Sequence, residues 1–113
     1  MTKLRVPLDL RAEWKPMWSK KRMRLELYFL HCNEGDLRSI FTEMENRDYR
    51  FRHIKPILTG EYFIMCITKL GHFSEATMDA EIQEALDVCH RHGIQAMDEA
   101  HLADPDKDDR SVN

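Results

Sequence analysis

Between residues 23 and 97 the spacing of apolar side chains switches repeatedly between the period of a strand and the period of a helix. From Met23 to His31 it alternates, with Leu25, Leu27 and Phe29 on one side and Glu26, Tyr28 and Leu30 on the other. Asn33-Glu34-Gly35-Asp36 then reads as a turn, and either Asn33 or Asp36 can cap a following helix. Leu37, Ile40, Phe41 and Met44 recur at helical spacing and predict a helix from about Leu37 to Asn46. Glu43, Glu45 and Arg47 fall on its wet side. A second strand is expected from about Tyr49 to Lys55. Pro56 has no N–H to donate, so that strand lies at an edge or stops there. Thr59-Gly60-Glu61 is a turn. Tyr62 to Thr68 is apolar on both parities, as in a central strand covered on one face and partly shielded on the other. The second helix is capped by Ser74 or Thr77 and buries Met78, Ile82, Ala85, Leu86 and Cys89. His90, Arg91 and His92 complement its negative end, and Gly93 stops it. Ile94 to Met97 is expected to form a short fourth strand.

The order is β-α-β-β-α-β. It predicts an α+β, ferredoxin-like domain with an antiparallel sheet and two helices on one face. That domain should span residues 21–103. Residues 1–20 read as an arm punctuated by Pro7 and Pro16, and residues 104–113 as an acidic tail without apolar pattern. A chain of 113 residues suits one domain with a real core and leaves no room for a cofactor fold plus a substrate domain.

The net charge of -3 conceals a polarity along the chain. Through residue 24, eight basic side chains face only Asp9 and Glu13, a net +6, so the rest of the chain carries -9. Trp14 and Trp18 lie in the basic arm, and each has on the order of 150–250 Å² of surface to cover. The arm can fold back on its own domain, anchor a partner, or cross to a second copy in a homodimer. Cys32, Cys66 and Cys89 are odd in number and widely spaced, which points to reduced thiols and a cytoplasmic setting. Cys66 and Cys89 should be buried and Cys32 less protected. No apolar run approaches the roughly 18 residues that span a bilayer, so no membrane partner is expected.

Catalytic chemistry is poorly represented. The four glycines sit at element boundaries, not in a phosphate-binding loop, and no serine lies in a nucleophile elbow. His31-Cys32 and Cys89-His90-Arg91-His92 match no zinc-ligand spacing, so no metal and no cofactor is expected. Glu26 is the one carboxylate among apolar neighbours, and on the outward side of its strand it reads as a solvated residue. A pocket lined by Glu26, Tyr28 and His31 would instead favour an enzyme or ligand-binding domain on the open sheet face. The basic arm could meet phosphates and its tryptophans could stack on bases. Yet Tyr28 and Tyr62 are isolated aromatics and the body is acidic, which argues against direct nucleic-acid binding.

Certain stretches resemble the regulators of ribonuclease activity B, the RraB-like inhibitors of ribonuclease E. They are Gly35-Asp36-Leu37, Tyr49-Arg50-Phe51, the segment Gly60 to Cys66, the segment Met78 to Leu86, and Gly93-Ile94. The similarity covers about residues 24–105. The chain differs from that family in its basic arm and in its last strand, where Gln95 to Ala100 holds neither Trp nor Gly. The resemblance implies a small non-enzymatic regulator that binds and inhibits a protein partner, such as a ribonuclease or another enzyme acting on nucleic acid. An immunity or anti-defence protein that binds one target enzyme is the alternative, since both roles need only shape and charge complementarity. Candidate contact residues are Trp14 and Trp18 in the arm, Asp79, Glu84 and Asp87 on the second helix, and Asp104, Asp106, Asp108 and Asp109 in the tail.

Overall fold

The structure is a computed structural model, and it describes residues 20–94, 97–103 and 105. Its elements run β1 (Met23–His31), α1 (Glu34–Glu45), β2 (Arg50–Ile57), β3 (Tyr62–Gly71), α2 (Glu75–Arg91) and β4 (Glu99–Ala103). The four strands form one antiparallel sheet in the order β2-β3-β1-β4. This is the ferredoxin-like topology. The arm up to residue 19 and nearly all of the tail lie outside the described residues.

Alternation decides which side of the sheet is covered. Met23, Leu25, Leu27 and Phe29 of β1 point inward with Met65 and Ile67 of β3 and Ala100 and Leu102 of β4. They pack against Leu37, Ile40 and Met44 of α1 and the Met78–Cys89 stripe of α2 in one core. Each large side chain buried there contributes on the order of 1.5–3 kcal/mol.

α1 begins three residues earlier than expected. Asn33 Oδ1 accepts the Asp36 N–H at 3.0 Å, and Glu34 and Asp36 sit at the positive end of the helix dipole. Gly35-Asp36, read as turn, is therefore the first helical turn. α2 is held by both residues foreseen as alternatives. Ser74 Oγ accepts the Thr77 N–H at 3.1 Å, and Thr77 Oγ1 accepts the Ser74 N–H at 2.7 Å. Past its end, Gly93 takes a φ of 79°, where a side chain is disfavoured.

β2 is an edge strand, as Pro56 required, and it carries a bulge between Phe51 and His53. β3 is central. Its outward Cys66 is buried as completely as its inward neighbours Met65 and Ile67.

The last strand corrects the sequence reading. β4 is Glu99–Ala103, not Ile94–Met97. Ile94 follows the helix stop, where its N–H bonds the Cys89 carbonyl at 2.8 Å, and its side chain is buried. Met97 is buried on the approach to the strand. The true alternation uses Ala100 and Leu102 against Glu99 and His101, and a small residue between Glu99 and His101 gives a weak periodic signal.

Candidate functional site

The face of the sheet away from the helices carries the outward side chains in cross-strand rungs. One rung is His53, Cys66, Tyr28 and Glu99. The rung to one side is Lys55, Ile64 and Leu30; the rung to the other is Arg50, Thr68, Glu26 and His101.

Glu26 is the hub, and its position corrects the expectation of a solvated residue: it is 3% exposed. Four side chains converge on its carboxylate. Arg24 Nε donates to Oε2 at 3.0 Å and Arg52 Nη1 to the same oxygen at 2.7 Å. His101 Nε2 donates to Oε1 at 2.8 Å and the Tyr28 hydroxyl to that oxygen at 3.1 Å. The β2 bulge lies beside Arg52, whose long side chain reaches past β3 to β1. His101 also lies 5.4 Å from the Tyr28 ring, centroid to centroid.

The electrostatics follow from that ring of donors. Burial alone would raise the Glu26 pKa, but the bonds from His101, Arg24 and Tyr28 outweigh it and hold the carboxyl at about 2. The same contact with Glu26 lifts His101 above its usual 6.5, against the opposing effect of burial. Burial pushes the Cys66 thiol up to about 11. It also raises the Tyr28 hydroxyl, with help from the charges of Cys66 and Glu26. His53 is lowered, first by burial and then by Lys55 and Arg52. At neutral pH Glu26 is ionised with both oxygens occupied, while Tyr28 and Cys66 keep their protons. A carboxylate bonded in this way is a poor general base.

His31 does not join Glu26 and Tyr28. It lies on the opposite parity of β1 and pairs with Asp36 at 3.0 Å. The three residues that would have lined a pocket are thus split between the two faces of the sheet. Two open grooves occur on the helical side instead. One, of about 260 Å³, is lined by Arg47, Lys69, Ala80, Glu81 and Glu84. It is already crossed by the ion pairs Arg47–Glu84 at 2.6 Å and Lys69–Glu81 at 2.8 Å. The other, of about 410 Å³, is lined by Asp87, His90 and Arg91. Among the described residues no three His, Cys, Asp or Glu side chains group as a metal site, and no helix is long and apolar enough to cross a membrane.

The acids foreseen on α2 spread over about 140° of its circumference, as 100° per residue dictates. Asp87 points away from the core and accepts from Gln83 at 3.2 Å. Glu84 lies on the flank toward α1, where it meets Arg47. Asp79 lies on the other flank, half-buried. Trp14, Trp18, Asp104, Asp106, Asp108 and Asp109 lie outside the described residues.

No protein-family model, no curated protein and no solved structure matches this chain.

The geometry adds a separation of charge by layer. α1 and α2 hold nine carboxylates against Arg38 and Arg91, a net -7. The four strands hold Arg24, Arg50, Arg52, Lys55 and Lys69 against Glu26 and Glu99, a net +3. Sequence reasoning found Glu26 but missed Arg24, Arg52 and His101 as its partners. The lone acid in an apolar strand was the available signal. The displaced fourth strand and the bulge concealed what would answer it.

Proposed function

We propose that the protein is a small non-catalytic regulator that covers a basic surface of a protein partner with its acidic helical layer. The net charge of -7 on α1 and α2 carries this reading. Opposed charge patches speed encounter and select the partner. The saturated Glu26 carboxylate supports binding over acid-base chemistry. A ribonuclease fits the partner's description, because a surface that attracts RNA phosphates is itself basic. The resemblance to ribonuclease inhibitors points the same way.

The test uses the full chain as bait in extracts of its source cell, beside an Asp79→Asn/Glu84→Gln/Asp87→Asn variant, with mass spectrometry of what each retains. The expected result is a basic protein that the wild type captures, that added salt releases, and that the variant loses. Equal capture by both baits would remove the helical layer from the interface. A purified ribonuclease E assay gives the second arm, and unchanged cleavage at saturating protein would exclude that enzyme. An immunity or anti-defence role uses the same surface, and the identity of the captured enzyme separates it from ribonuclease control.

A further inference from the structure

We infer that residues 1–19 are the cover of the sheet face turned away from the helices, a strap of the chain's own that seals the Glu26 cluster.

The observation that carries this is burial without a covering layer. Both helices pack on the inward side of the sheet. Yet Arg24, Glu26 and Cys66, all on the outward side, are only 8%, 3% and 0% exposed. Glu26 is hidden by its four donors, and Arg52 crosses β3 to reach it. The donors are then the outermost described groups on this face, and the two arginines are withdrawn as well. The Arg52 side chain is 18% exposed, and Arg24 less. Guanidinium groups lying on a bare sheet would keep their charged ends in water. Both arginines also have a further interaction beyond Glu26. The covered strip is narrow, because Leu70 and Tyr62 of β3 and Arg50, Lys55 and Glu99 of the edges are exposed. One segment of chain fits such a strip, whereas a body as wide as the sheet would bury its flanks too.

These exposures belong to the single chain, so the cover does too. Gln95 and Ala96 are too few, and the buried Ile94 and Met97 tie them down on either side. In the tail beyond Pro105, Val112 is the one apolar residue. Residues 1–19 have what the strip asks for: Leu4, Val6, Leu8 and Leu10 in the alternation of an extended segment, then Trp14 and Trp18. The arm is basic and the strip holds two arginines, so the contact is one of ring on guanidinium, which tryptophan makes best. Asp9 and Glu13 supply acids from the same segment. Reach is sufficient. β1 begins three residues after Lys20, beside Gly71. At about 3.5 Å per residue, Trp18 reaches about 20 Å from Arg24 and Trp14 about 35 Å. Leu30, six residues along β1, is about 20 Å from Arg24. A strap here leaves the acidic helical layer as the surface for a partner, and it assigns the two tryptophans to their own domain.

Two measurements on the full chain test this. The first is alkylation at neutral pH, read thiol by thiol by mass spectrometry, in the wild type and in Trp14→Ser/Trp18→Ser. Cys66 lies under the strap, while Cys89 lies in the core on the other side of the sheet and reports opening of the whole domain. The variant is expected to label Cys66 at least about tenfold faster, with Cys89 unchanged. Cys66 as slow as in the wild type overturns the inference. If both thiols accelerate together, the domain has loosened, and the second measurement decides with both tryptophans in place. A nitroxide is attached through Leu70→Cys on the sheet face or through Asp87→Cys on α2, each with Cys32→Ser. Both positions are exposed. Trp14 and Trp18 are the chain's two tryptophans, and their emission should be quenched from Leu70→Cys and not from Asp87→Cys. Equal quenching, or quenching from α2 alone, overturns the inference. Asp106→Asn/Asp108→Asn/Asp109→Asn should label Cys66 as the wild type does, and faster labelling there would make the tail the cover instead. Loss of the captured partner in the tryptophan variant, with Cys66 still protected, would give the tryptophans to that partner and overturn the strap.

Discussion

Glu26 sits at the centre of a sheet, where a carboxylate without partners would be costly to bury. Replacing it with Gln puts an amide N–H₂ against Arg24, Arg52 and His101, all of them donors. The expected loss is about 3 kcal/mol in urea unfolding, the scale of breaking a buried pair from one side. The pH dependence follows from two opposite shifts. Glu26 is lowered from 4.5 to about 2, so its contribution is present above 4.5 and is lost as pH falls toward 2. His101 is raised from 6.5, so its contribution is complete below 6.5 and fades as pH rises through the elevated value. Stability from this pair is therefore greatest between 4.5 and 6.5. His101→Gln should flatten the decline on the alkaline side, and urea midpoints on either side of neutrality measure it. The thiols divide as their sequence positions implied: Cys32 is exposed, while Cys66 and Cys89 are buried. Burial pushes Cys89 up to about 12, as it raises Cys66. A thiol reagent at neutral pH should thus label Cys32 quickly and the other two only at the rate of opening. Rapid labelling of all three would contradict the packing of β3 and α2.

Single elements carry contributions that their sequences partly announce. Ser74→Ala removes one half of the reciprocal cap of α2 and should cost about 1 kcal/mol in denaturant unfolding. The turn between β2 and β3 works the other way. Leu58 and Thr59 hold φ values of 51° and 55° there, a left-handed conformation that costs a β-branched residue about 1–2 kcal/mol. Thr59→Gly should stabilise the protein by about 0.5–1 kcal/mol, after the entropy that glycine loses on folding. A Tm that falls would show that the left-handed turn is not a source of strain. The helices and β1 were legible because each has a large apolar stripe with one period, while β2 was announced by its alternation ahead of Pro56 and β3 by an unbroken apolar run after the turn at Gly60. β4 was not, because its inward pair is Ala100 and Leu102, and because Ile94 and Met97 are buried without belonging to a strand. Local pattern records burial, and burial here was supplied by a helix stop and a connecting segment. The Glu26 cluster was hidden for a related reason. His101 lies 75 residues away in sequence and Arg52 26 residues away, and no periodicity within β1 reports partners at that separation.

At the scale of the molecule the sequence showed a basic beginning followed by an acidic remainder, and the fold redistributes that remainder by layer. Helical stripes need a solvated side, and here it is filled with carboxylates, whereas the outward side of β2 is filled with Arg50, Arg52 and Lys55. Among the described elements, charge is therefore separated across the core, negative on the helices and positive on the strands. On ion-exchange media the single chain would hold to either sign of resin despite its net -3.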